Sequence, residues 1–298
     1  MQNVLKAVKS KLRNSIFRLT PNLIIDNVLK IKAQPFEQLN SLTSAKIVKM
    51  YFSMEHLKEF LSTTYPDWNY DFSDIRHKKL IQLFISFSLL HLKESDTYMD
   101  VAGGLYSYAF YAKCKKRYLH DQKLKGDLKK RAADYGVLIL ESTASSIPLP
   151  DESIDKISCH HSFEHFKGDA DLQFINEVQR LLKPGGLCCV LPIFISERYF
   201  EIVDGLQWKK SDTEAKLVFD HTSPFPGGSF SGGFARIYDL KKFQERVVNN
   251  IDQNLYEIKL IEVCLNGKPV PNIQLKCNEM TPMINCPYRA LLIHKYNN

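Results

Sequence analysis

The chain has no CxxC pair, no long apolar run, no low-complexity tract and no repeat at solenoid or propeller spacing. Each absence removes a class of protein. Its seven cysteines are odd in number, and Cys188 and Cys189 sit side by side in an apolar stretch. That pattern speaks against a disulfide framework and against a zinc site, and for reduced, buried thiols in the cytoplasm. The most apolar run, Leu80 to Leu92, is too short to span a bilayer and reads as a buried helix. The opening residues, MQNVLKAVKSKLRNSIFRLT, lack the unbroken apolar core of a secretion signal, so none is expected. No metal-binding H-E-x-x-H occurs, although His160, His161 and His165 cluster with Glu164; no metal site is expected. A full G-x-G-x-x-G turn is also missing, which counts against a nicotinamide oxidoreductase.

What is present is an ordinary globular composition over 298 residues, 44% of them hydrophobic, enough for one large domain or a domain with a cap. The net charge of +7 is concentrated. Residues 1–33 hold seven basic residues against Asp26, and residues 113–131 hold nine against Asp121 and Asp127. Aromatic side chains that would stack on bases are not interleaved with these lysines, so solvated faces are the better reading and a nucleic-acid partner is disfavoured. The basic N-terminus also suits peripheral contact with anionic lipid.

Periodicity divides the chain. Residues 1–95 read as a helical N-terminal region or cap: apolar residues recur at helical spacing in Val4-Leu5-Val8-Leu12, in Ile47-Met50-Tyr51-Met54 and in Leu80-Leu83-Phe84-Phe87, with Met50 to Leu61 as a lid or substrate-contact helix. From residue 96 the pattern alternates between strands and helices. Strands are expected at Tyr98–Ala102, Arg117–Asp121, Val137–Leu140, Ile154–Cys159 and Leu187–Phe194, with an amphipathic helix over Asp171–Leu182 that stops at Lys183-Pro184-Gly185-Gly186. Residues 195–235 interrupt the rhythm as an aromatic, glycine-rich insertion. A helix capped by Asp239 follows, then two late strands, Tyr256–Leu265 and Arg289–Tyr296, expected to pair antiparallel. The fold class is therefore α/β, with a parallel sheet, right-handed crossovers and a substrate-cap insertion.

Four features follow in order along this region. Asp100-Val101-Ala102-Gly103-Gly104 takes a strand into a small-residue turn where backbone amides can approach a ligand. Asp121 ends the next strand, 21 residues after Asp100, where a carboxylate accepts hydrogen bonds from the hydroxyls of a ribose. Then come TASSIPLPDESID (Thr143 to Asp155) and SCHHSFEHF (Ser158 to Phe166), closed by EVQRLLKPGG (Glu177 to Gly186).

Taken together, these resemble the class I methyltransferases, whose members carry patterns like D-A-x-x-L-P-F-x-D-x-S-F-D, E-H-F and E-x-x-R-V-L-K-P-G-G. The resemblance implies a Rossmann-like seven-stranded sheet, parallel with an antiparallel last strand, and S-adenosyl-L-methionine as cofactor. It also implies roles. Asp100 would orient the turn and the methionine amino end. Ala102, Gly103 and Gly104 would line the cofactor, Asp121 would hold the ribose, and Thr143 and Ala144 would lie beside the adenine. Cys159 and His160 would end near the sulfonium methyl. The sequence departs from the pattern at Ala102 and Tyr106, where alternating glycines are usual, and at Thr143, where an acid is usual and Glu141 is close by. "SFEHFKGDAD", "LPIF" and "FARIYD" resemble a subgroup found among bacterial surface-polysaccharide genes.

The expected function is O-methylation of a sugar-containing or other small polar acceptor, with His160 or His161 as general base and His221 as a second candidate. The aromatics Phe194, Tyr199, Phe200, Trp208, Phe219, Phe225, Phe230 and Phe234 are candidates for the acceptor wall. The alternatives are a catalytically degenerate relative that keeps the cofactor fold, and a nucleic-acid methyltransferase.

Overall fold

The computed structural model describes residues 31–64, 76–204, 211–220, 233–270 and 286–297. The basic segment before residue 31, His221, Trp208, Phe225 and Phe230 lie outside them.

A nine-stranded sheet runs through the molecule. Its strands are β1 (Lys46–Phe52), β2 (Thr97–Val101), β3 (Lys116–Asp121), β4 (Leu138–Glu141), β5 (Ile154–His160), β6 (Leu182–Leu191), β10 (Tyr256–Leu265), β11 (Lys268–Pro269) and β12 (Arg289–Lys295). The spatial order is β1-β10-β12-β6-β5-β2-β3-β4, with β11 paired to β10. Strands β2 to β6 are parallel to their neighbours, β12 runs antiparallel to both β6 and β10, and β1 is parallel to β10. The expected α/β class and the antiparallel late pair are what the sheet shows. Leu260 stands opposite Leu291 in that pair.

Helices cover both faces because each strand alternates apolar side chains between them. On one face α1 (Met54–Thr64), α2 (Arg76–Leu90) and α3 (Gly126–Asp134) bury Leu57, Leu61, Leu83, Phe84, Leu128 and Ala132. On the other, α4 (Ala170–Leu181) and α5 (Leu240–Arg246) bury Phe174, Ile175, Val178, Leu181 and Phe243.

Three boundaries differ from expectation. The N-terminal region is not helical throughout: Lys46–Phe52 is an edge strand of the main sheet, with Ile47 opposite Leu260. Its apolar residues fit a helical period, but the exposed edge of β10 offers a full parallel ladder, and pairing overrides the local pattern. Helix α1 therefore begins only at Met54. The sheet has more strands than the seven expected, the additions being β1 and the two-residue β11. Strand β6 starts at Leu182 and includes Lys183-Pro184-Gly185-Gly186 as a bulged entry. Gly185 takes φ +75°, and a Cβ on Gly186 would lie 2.8 Å from the Lys183 carbonyl oxygen, so both positions favour glycine.

The insertion forms a small sheet of its own, ordered β8-β7-β9: β7 (Phe200–Asp204), β8 (Lys216–Asp220) and β9 (Phe234–Ile237). It joins the main domain through buried charge. Arg236 is 1% exposed; it reaches Asp171 at 2.7 Å, Glu201 at 3.4 Å and the carbonyl oxygens of Phe166 and Gly168. Arg246 clasps Asp171 through two nitrogens at 2.7 and 2.9 Å, and the Tyr238 hydroxyl donates to the same carboxylate at 2.8 Å. The "FKGD" and "FARIYD" segments are thus two halves of one buried cluster. Among the described residues six cysteines are buried free thiols, and no helix is long and apolar enough to cross a membrane.

Candidate active site

Parallel pairing brings the ends of β2, β3, β4 and β5 to one edge of the sheet. Val101 stands opposite both His120 and Cys159, and Asp121 opposite Glu141. The turn after β2 is tight. Ala102 and Gly104 adopt left-handed backbones, at φ +53° and +52°, and the Gly103 amide donates to the His120 carbonyl at 3.3 Å. A Cβ on Gly103 would lie 2.4 Å from Asp100 Oδ2 and 2.7 Å from Ser107 Oγ, so only glycine fits without rearrangement.

Asp100 explains that crowding. It is 1% exposed, and its carboxylate binds four groups: Ser107 Oγ at 2.7 Å, the Tyr108 amide at 2.8 Å, Ser158 Oγ at 2.6 Å and His160 Nδ1 at 3.3 Å. Burial pushes its carboxyl up, but His160 and the two serine hydroxyls more than offset this, leaving it below the usual range. Both oxygens are engaged in ordering the turn and strand β5. The implied contact with the methionine amino end has no free oxygen in this arrangement.

Asp121 is different. It is half-buried, takes its own neighbour's amide (Gln122) at 2.7 Å through Oδ1, and turns Oδ2 toward Gly104, 3.7 Å from where a Cβ there would stand. The acid and the glycine turn thus face each other across a gap that a side chain at Gly104 would begin to fill. Thr143 and Ala144 follow β4, Thr143 exposed and Ala144 half-buried, with the Ser145 hydroxyl donating to Thr143 Oγ1 at 3.0 Å. Glu141 is committed elsewhere, accepting from the Leu124 amide at 2.8 Å and pairing with Lys129, so it does not replace the missing acid at Thr143.

The residues ending β5 separate by face. Cys159 is fully buried in the core with Val101 and Val190, which pushes its thiol well up. Its side chain is therefore core packing, and only its backbone reaches the site edge. His160 is also buried, bonded to Asp100, with its ring edge-on to Tyr108 at 4.2 Å. His161 lies past the strand in a left-handed backbone, φ +48°, with its side chain 30% exposed. Ser162 ties this segment to the glycine turn by donating to the Ala102 carbonyl at 3.1 Å. His165 sits in a short 3-10 turn (Phe163–His165), where its Nδ1 lies 2.6 Å from the Phe234 carbonyl oxygen.

Four of the expected wall aromatics, Phe194, Tyr199, Phe200 and Phe234, are 1 to 5% exposed. They pack the small sheet and its junction and do not line an open surface. Sequence reasoning weighed Glu164 only as a metal ligand and passed over Gln82 and Tyr288, which with it contact His161, and Tyr108, which bonds Gln82. Glu164 had a visible signal in E-H-F. The other three come from distant segments, and no local pattern marks them. Among the described residues no cluster of His, Cys, Asp and Glu is arranged to hold a metal.

Residues 96–190 match the model of a family described as "Methyltransferase domain". The similarity covers about a third of the chain and is to methyltransferase domains. S-adenosylmethionine is the cofactor that this similarity supports. A comparison with curated proteins found no match. Solved structures similar to the chain include the YcgJ protein of Bacillus subtilis, at 14% identity and a TM-score of 0.44, over 74% of this chain and 99% of that one. A Thermotoga maritima protein described as a S-adenosylmethionine-dependent methyltransferase, possibly acting on histamine nitrogen, is similar at 17% identity and a TM-score of 0.45, over 80% and 99%. The 1,6-didemethyltoxoflavin-N1-methyltransferase of Burkholderia thailandensis, with that compound and S-adenosylhomocysteine bound, is similar at 13% identity and a TM-score of 0.44, over 80% and 87%.

Proposed function

We propose that the protein is an O-methyltransferase acting on a sugar-containing or other small polar acceptor, in the cytoplasm, with His161 as its general base. The observation that carries this reading is the division of labour at the end of β5. His160 is buried against Asp100, whereas His161 is solvent-accessible and tied through Ser162 to the glycine turn.

The roles then follow from position. Gly103 and Gly104 let the backbone approach the cofactor, Asp121 Oδ2 takes the ribose hydroxyls, and Thr143 and Ala144 border the adenine. Asp100 and His160 are positioning residues that hold the turn. The cofactor supplies an electrophilic methyl group on a sulfonium sulfur. The acceptor hydroxyl loses its proton to His161 as its oxygen forms the new bond, so the base and the in-line approach are what the protein contributes. The buried contact between "FKGD" and "FARIYD" supports treating these segments as one unit of the polysaccharide-associated subgroup, with a glycan as the acceptor. The exposed lysines of residues 113–131 leave a nucleic-acid acceptor as the second reading. It would show as affinity for RNA or DNA that falls steeply with salt.

The test pairs calorimetry with S-adenosylhomocysteine and turnover on a panel of sugar acceptors. Wild-type protein and His161→Gln are expected to bind the product alike, while turnover by the variant falls by roughly 100-fold, the scale of a general base. Undiminished turnover would remove His161 from the mechanism. Absence of binding by the wild type would favour a degenerate relative.

A further inference from the structure

Around His161 lies a chain of polar groups that the cofactor site does not use. Its Nδ1 is 3.3 Å from Glu164 Oε1. Its Nε2 is 3.2 Å from the Tyr288 hydroxyl and touches the Gln82 amide. Gln82 Nε2 also donates to the Tyr288 hydroxyl at 2.7 Å, and Gln82 Oε1 accepts from the Tyr108 hydroxyl at 3.0 Å. Gln82, Tyr108, Glu164 and Tyr288 are each 3% exposed or less, so these groups have little water with which to exchange.

We propose that Glu164 is the positioning residue that makes His161 a base, by holding its imidazole in the Nδ1–H tautomer, which leaves the lone pair on Nε2. The proposal rests on the methyltransferase reading and deepens it. A carboxylate can only accept hydrogen bonds, so the proton between Glu164 and His161 resides on Nδ1. Burial pushes the Glu164 carboxyl up, but His165 and His161 beside it more than offset this, and it stays ionised. At the other nitrogen, burial holds the Tyr288 hydroxyl up at about 12, so it keeps its proton and donates to Nε2. The directions agree around the whole chain: Tyr108 to Gln82, Gln82 to Tyr288, Tyr288 to His161, His161 to Glu164. An acceptor hydroxyl must take the place at Nε2 that Tyr288 and Gln82 hold in this structure.

A second feature separates this role from a structural one. Glu164 Oε2 is buried with no hydrogen-bond partner among the described residues. Only half of this carboxylate is engaged, so removing its charge should cost the fold less than at a fully paired carboxylate.

The experiment uses the full chain with labelled histidine and the variants Glu164→Gln and Glu164→Asp. Long-range proton–nitrogen spectra report the tautomer of each of the nine histidines, with His161 assigned by its loss in His161→Gln. In the wild type, His161 is expected as Nδ1–H, and in Glu164→Gln as a mixture of tautomers. Turnover is expected to fall by roughly 100-fold in Glu164→Gln and to return partly in Glu164→Asp, which keeps the charge, while the KM for cofactor and the affinity for S-adenosylhomocysteine stay at wild-type values and the variant stays folded at the assay temperature. An Nε2–H tautomer in the wild type overturns the proposal. So does a folded Glu164→Gln variant that loses product affinity along with turnover. Because the spectra need no cofactor, failure of wild-type protein to bind S-adenosylhomocysteine would be read separately, as a failure of the methyltransferase reading.

Discussion

Gly103 is set by contact and not by dihedral angle. Its φ of −72° suits any residue, yet the space where its Cβ would go is filled by Asp100 and Ser107. Its neighbours Ala102 and Gly104 are the reverse: they take left-handed backbones, a Cβ at Gly104 would meet only Asp121 Oδ2 at 3.7 Å, and alanine bears the first at a modest cost. This accounts for an alanine standing at position 102. Gly103→Ala should force Asp100 and Ser107 apart and break the ladder of bonds that orders the turn. A loss of about 2 kcal/mol in stability is expected, in the range for overpacking, together with at least tenfold weaker binding of S-adenosylhomocysteine. Urea unfolding and calorimetry check the two effects. Unchanged binding in a folded variant would mean that the turn moves without cost.

At the level of elements, the alternating half of the chain was readable because each signal is local. The stripe Ile175, Val178 and Leu182 sits on one face of α4 and at its end, and the alternation of β10 and β12 carried their pairing. Asp239 was legible as a cap for the same reason: its Oδ1 accepts from the Lys242 amide at 2.7 Å at the start of α5. Asp239→Ala should therefore cost about 1 kcal/mol, the usual value of an N-cap, read as a lower urea midpoint with an unchanged slope. A null effect would show that packing of Phe243 alone holds the helix. What was not readable depended on partners far away in sequence. Whether KIVKMYF becomes helix or strand is decided by β10, more than 200 residues later. Cys159 reads as a site residue until the face of β5 is known, and the aromatics of the insertion read as a wall until the small sheet buries them. In the site, Asp121 and the glycine turn announced themselves by spacing. The environment of His161 did not, because Gln82 and Tyr288 reach it from opposite ends of the chain.

At the scale of the molecule, the small sheet is joined to the main domain by charge. Asp171 is fully buried and receives Arg236, Arg246 and the Tyr238 hydroxyl, and through Arg236 it also reaches Glu201 on β7 and the loop before α4. Two guanidiniums on one carboxylate leave excess positive charge if that carboxylate is neutralised, and a buried unpaired charge is strongly destabilising. Asp171→Asn should therefore cost about 3 kcal/mol or more, in the range for breaking a buried pair, and should loosen β7, β8 and β9 first, seen as faster amide exchange there than in β2 or β5. The pH dependence has a definite sign. Burial pushes the Asp171 carboxyl up, but the hydrogen bond from Arg246 and the charges of Arg236 and Arg246 more than offset this, leaving it below its ordinary value. A carboxylate with a lowered folded pKa binds more protons when unfolded, so its contribution is complete above the ordinary carboxylate range and disappears as pH falls through the folded value. The stability gap between wild type and Asp171→Asn should accordingly be constant from pH 7 down to about 5 and close below about 4. Guanidinium unfolding at a series of pH values measures it. A gap that persists at pH 2 would mean that the asparagine variant loses stability through packing, and that the ionic clasp does not secure the small sheet.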